Sequence, residues 1–111
     1  MDQAASEAYA NEISLARTAL RRFQYQQCYV HLERAHILGQ RSTTRHTYAH
    51  WLMFRAGLSQ RDFREVLGQL PRMVASLLFS HVWVPPGNTG RARVNAFRPM
   101  PVPEDLRHIV S

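Results

Sequence analysis

Apolar residues recur at helical spacing almost from the first residues of the chain. Ala8, Tyr9, Ile13, Ala16, Leu20 and Phe23 make one broad stripe, with Ser6 placed to cap the helix that carries it. After a short break at Gln24 and Tyr25, a second stripe runs through Tyr25, Cys28, Leu32, Ala35 and Leu38 and stops at Gly39, the residue type that closes helices in the left-handed conformation. Ser42 or Thr43 can cap a third helix whose inner face holds His46, Ala49, His50, Met53 and Gly57. Ser59 and Asp62 precede a fourth, in which Phe63, Val66, Leu67 and Leu70 align before Pro71 interrupts, with a further turn or two from Arg72 to Ser80. No pair of strands is predicted.

The pattern changes after Trp83. Residues 84–111 hold five of the six prolines, which excludes a regular helix before Glu104, yet Val94, Phe97, Met100 and Val102 are too apolar for a linker. The segment predicts an extended strap laid across the helices and pinned by Phe97 and Met100. The expected fold is therefore all-α: two stacked helical hairpins over residues 1–83, with an extended C-terminal tail over 84–111 completing the same domain. The Gly87–Arg91 turn lacks the spacing of a phosphate loop and reads as an ordinary turn.

A chain of 111 residues supports one core. The formal charge of +6 comes from fourteen arginines without a lysine, scattered along the whole length. That dispersal disfavours a nucleic-acid footprint and fits compositional bias better. A single cysteine, Cys28, rules out an internal disulfide and a thiolate zinc cage. The acidic, polar start and the shortness of the apolar stretch at 74–84 predict a cytoplasmic protein without a membrane span.

One constellation carries chemistry. His31, His36, His46 and His50 fall within twenty residues, across two helices and the turn between them. His46 and His50, four apart, share a helical face, the arrangement by which a helix offers two imidazoles to one ion. His31 and His36 lie about 140° apart around their helix, so both cannot face the next one. His36, beside the tight turn, is the expected third ligand, with His31 the alternative. The N-terminal position of His46 favours a neutral ring, whereas the C-terminal position of His36 favours protonation. Glu33 can support His36 or ligate directly. Three imidazoles with Glu33 suit zinc; three with Met53 lean toward copper, and a haem held by histidine and Met53 needs a larger pocket. Against this stands a purely structural cluster, with rings that satisfy buried hydrogen bonds or stack on Tyr29, Tyr48, Trp51 or Phe54.

Two resemblances extend this reading. LARTALRRFQYQQCYVHLERAHIL resembles a tetratricopeptide hairpin, and FRAGLSQRDFREVLGQL echoes it with Phe63 in the place of Tyr25, thirty-eight residues on. The blocks HLERAHILGQ, HTYAHWLM, REVLGQL and GNTGRARVNAFRPMPVPEDL resemble a family of small bacterial proteins catalogued as a domain of unknown function, number 3703. That resemblance implies an association with heavy-metal transport or resistance, and a histidine in relatives where this chain has Ser42. The sequence thus predicts a non-catalytic transition-metal protein for sequestration, delivery or accessory work. The alternative is a helical-repeat adaptor for a protein partner, and a homodimer is left open.

Overall fold

Helix α1 (Gln3–Arg21) begins at Asp2, whose carboxylate accepts the Ala5 N–H at 2.8 Å; Ser6, the expected cap, lies inside the helix. Asp2 wins because it stands outside the first turn, where the unpaired N–H groups are. In the computed structural model, which describes residues 2–110, α1 is followed by α2 (Tyr25–Gly39), α3 (Thr43–Gln60), α4 (Phe63–Phe79) and a short α5 (Glu104–Val110). Among the described residues there is no strand. Helix α1 packs on α2, α3 on α4, and α2 on α3, giving the two stacked hairpins.

Both hairpin corners are built alike. Phe23 (φ 58°) and Arg61 (φ 60°) take the left-handed conformation, and the next residue's N–H reaches back five positions, Gln24 to Ala19 O and Asp62 to Gly57 O, each at 2.9 Å. The corners stand thirty-eight residues apart, the separation of the tetratricopeptide-like echo. A non-glycine residue occupies each, so Phe23 leaves the apolar stripe and is exposed. Gly39 does not close α2 in the left-handed form. It is helical, and a Cβ there would come within 2.8 Å of the Tyr9 ring and of Arg45 Cβ, so the position demands glycine for close approach. Ser42 does cap α3, accepting the Arg45 N–H at 3.4 Å.

The core lies between α1, α2 and α3, where Leu32, Ala35, Leu52, Met53 and Ala56 are fully or almost fully buried, and Leu106 of α5 closes one side. Helix α4 departs most from expectation. It runs unbroken through Pro71, which sits on the solvent side, where water can satisfy the carbonyl one turn back that proline leaves without a donor. It is also turned inside out. Phe63, Leu67 and Leu70 are exposed, Leu67 by 67%, while Glu65, Gln69, Ser76 and, just past the helix, Ser80 are buried. The tail does strap the helices, but Phe97 is 75% exposed and pins nothing. Asn88 organises the strap, donating from Nδ2 to Asn95 O and Arg98 O at 2.8 Å each and accepting Gly90 N–H at 2.9 Å. Val84 and Pro85 are buried, and Pro85 O receives Gln40 Nε2 at 2.7 Å. No helix among the described residues is long and apolar enough to cross a membrane.

Candidate metal centre

The inward polar stripe of α4 faces three imidazoles. His36 comes from the last turn of α2, His46 and His50 from the first half of α3, and all three rings are buried. His36 Nε2 lies 3.0 Å from His46 Nε2 and 3.1 Å from His50 Nε2, and the ligand nitrogens of the group all fall within 4.8 Å of one another. The ring centroids are 4.7–4.9 Å apart, with His36 edge-on to the other two.

The opposite nitrogens settle where the protons are. His36 Nδ1 is 2.7 Å from Asn88 O, a carbonyl that can only accept, so Nδ1 carries the hydrogen. His50 Nδ1 is 2.6 Å from Gln69 Oε1. The orientation of that amide is fixed because its nitrogen donates to Glu65 Oε2 at 2.6 Å and to Gly90 O at 2.9 Å. His46 Nδ1 is 2.9 Å from Ser80 Oγ, whose own hydrogen is taken by Ser76 O, leaving Oγ to accept. All three rings are therefore protonated on Nδ1, and all three Nε2 lone pairs point at a common centre. Two acceptors 3.0 Å apart cannot bond to each other.

Protonating Nε2 would relieve the repulsion, but the site resists it. Burial pushes His46 down to about 4 and His50 to about 3, the latter helped by the neighbouring His46 charge. His36 is held well below the usual histidine range by burial and then by His50 and His46. The C-terminal end of α2 was expected to favour its protonation; loss of solvation outweighs that dipole. Three neutral, unprotonated Nε2 atoms with each Nδ1–H held by an acceptor form the donor set of a tris-imidazole metal site. A tetrahedral ion at about 2.05 Å from each nitrogen needs ligand nitrogens about 3.3 Å apart, so His36 Nε2 has to part from each of the other two by only a few tenths of an ångström.

The other sequence candidates are engaged elsewhere. Glu33 stands outside the triad and does not support His36, whose Nδ1 is taken by Asn88 O. Its carboxylate meets Arg91 Nη1 at 3.1 Å, and burial raises its affinity for a proton. Met53 is packed in the core, its sulfur accepting from Gln69 Nε2 at 3.3 Å. His31 turns to the other side of α2, onto Glu12 at 2.8 Å. There Arg34 ties Glu12 to Asp105 of α5. The residues not foreseen are the supports Gln69, Ser80 and Asn88. Glu65, Gln69, Arg72, Ser76 and Ser80 follow one another at intervals of four, three, four and four, a polar stripe as regular as the apolar one. That periodicity was the available signal.

The triad also borders a cavity of about 460 Å³. Its walls include Phe79, Trp83, Val84 and Phe97, and Arg72 lines it beside the rings.

A family model described as protein of unknown function (DUF3703) matches residues 3–110. The chain belongs to the DUF3703 family. The block HLERAHILGQ, noted above as a mark of this family, contributes His36, HTYAHWLM contributes His46 and His50, and REVLGQL contributes Gln69. The GNTG turn supplies Asn88 and Gly90, so four blocks separated in sequence meet at one centre in this DUF3703 member. No curated protein and no solved structure matches the chain.

Proposed function

We propose that this protein holds one transition-metal ion on His36, His46 and His50, and that it serves metal sequestration or delivery. One observation carries the reading: three Nε2 lone pairs converge with no proton among them, and each ring is fixed by a separate acceptor on Nδ1. A structural cluster needs no such uniform tautomer. Rings that merely filled space would bond to one another, one donating and the next accepting.

The test is metal titration of the purified full chain without a polyhistidine tag, followed by elemental analysis. One equivalent of zinc, cobalt(II) or copper per chain is expected, lost in His46→Ala/His50→Ala. Only trace metal in the unaltered protein after incubation with each ion would overturn the proposal.

The adaptor reading is favoured by a different observation, the exposed apolar face of α4, and the two do not compete for the same side of that helix.

A further inference from the structure

Resting on the metal reading, we infer that the ion's fourth ligand is an organic monocarboxylate from solution, seated between the ion and Arg72 with its apolar body against Phe79 and Trp83. The argument begins with charge. Three neutral imidazoles leave the charge of a buried divalent ion uncompensated, which is costly in a medium of low polarity. Among the described residues no carboxylate lines the cavity beside the triad to compensate it. Glu65 is the nearest acid in the support network, and its two oxygens are spent on Arg91 Nε at 2.8 Å, on Gln69 Nε2 and on Ala92 N–H. Glu33 is paired with Arg91 as well.

Arg72 adds a second positive charge to the same cavity. Its guanidinium is anchored by carbonyls, Gly68 O and Val94 O at 2.8 Å each, and among the described residues it forms no ion pair, Glu65 acting on it only at longer range. Its Nε–H is buried without an acceptor. An ion and an unpaired guanidinium on one wall make an anion site, and the half-buried arginine fork suits a carboxylate in particular. The remaining walls are apolar, and about 460 Å³ admits a small organic body as well as the head group. A carrier built this way takes up and releases its ion together with an anion.

Cobalt(II)-loaded full-length protein provides the test, because its visible bands report both metal occupancy and a change of ligand. Benzoate should shift the bands saturably, about tenfold more tightly than acetate, while benzamide leaves them unmoved. Arg72→Gln should weaken benzoate by about tenfold or more with cobalt affinity little changed. Since Arg72 also ties the strap to α4, Trp83→Ala, at an exposed position, is the second variant; it should erode the preference for benzoate over acetate. Bands that respond to pH but not to millimolar carboxylate would overturn this inference in favour of hydroxide, with the metal reading intact. Absence of cobalt bands would instead overturn the metal reading.

A second observation stands independently. Phe63, Leu67, Leu70, Val74 and Leu77 repeat at intervals of four, three, four and three along α4, the seam of a coiled coil, and all are exposed. With Leu78 they present on the order of 700 Å² of apolar surface, above the ~300–600 Å² of the largest patch on a typical monomer and close to the ~800 Å² per partner of a stable interface. We propose that a second copy of this chain covers it, α4 against α4, since a heptad seam on a single helix is complementary to itself. Sedimentation of the full chain should show a dimer at micromolar concentration that Leu70→Glu converts to a folded monomer. A wild-type monomer at about 100 μM, which leaves the face to some other protein, or a dimer unmoved by Leu70→Glu, refutes this.

Discussion

Gly90→Ala tests the geometry of the centre most directly. Gly90 has φ +83°, and a Cβ built there lies 2.6 Å from His36 Cδ2 and 2.8 Å from its Nε2. The left-handed backbone alone costs a non-glycine residue roughly 1–2 kcal/mol. To restore ordinary contact the His36 ring must withdraw by about 0.8 Å, yet it is held at 2.7 Å by Asn88 O and hemmed by the other two rings. Losing or bending that buried bond adds about 1–2 kcal/mol, so urea denaturation of the metal-free protein should register a loss of about 2–4 kcal/mol. The same shift exceeds the ~0.2 Å latitude of a metal–nitrogen bond, so zinc affinity against a chromophoric chelator should fall by at least the ~10–100-fold seen when a supporting group is lost. Gly57→Ala is the comparison, because its nearest neighbour is Val66 Cγ2 at 3.1 Å and no histidine ring is involved. It should cost about 1 kcal/mol and leave zinc affinity unchanged. If Gly90→Ala behaves like Gly57→Ala in both assays, the packing argument is refuted.

Further outcomes follow from the same network. Because folding depresses the proton affinity of His46 to about 4 and of His50 to about 3, the unfolded chain takes up protons below about pH 6.5 that the folded one refuses. Stability of the metal-free protein is then greatest above that pH and falls by several kcal/mol as pH drops from 7 to 5, and a flat urea midpoint over that range contradicts neutral buried rings. Gln69→Leu strands His50 Nδ1–H, Glu65 and Gly90 O at once, at about 1–3 kcal/mol each, so calorimetry should show a melting temperature lower by many degrees. Glu33→Gln keeps a hydrogen bond to Arg91 and should leave zinc affinity within about threefold; a larger loss would restore Glu33 as a ligand.

The meeting of His36, His46 and His50 was legible in the sequence because their positions depend only on helical phase and on a tight turn. The 140° separation of His31 and His36 selected between them, and the structure sends His31 to Glu12. Glu33 is drawn away from His36 because a charge three residues from that ring is free to choose a stronger partner, and Arg91 arrives from fifty-eight residues away. Helix α4 was misread for a related reason. Its apolar stripe is strong, and burying it is the default inference from such a pattern. The competing stripe of Glu65, Gln69 and Ser76 wins the interior because three imidazoles and a strap full of carbonyls already wait there, and each must be satisfied. The anchoring of the tail by Asn88 rather than Phe97 rests on backbone carbonyls that no side-chain pattern reveals.

His36, His46 and His50 lie within fifteen consecutive residues, 36–50, whereas Gln69, Ser80 and Asn88 follow much later. Closing so short a loop costs little entropy. Synthesis runs from the N-terminus, so all three rings are made before Gln69, Ser80 and Asn88, the groups that fix their tautomer. The cluster is therefore assembled in two stages, a cheap local meeting of rings followed by their orientation from distant parts of the chain, and only the finished fold sets all three Nε2 atoms free of protons.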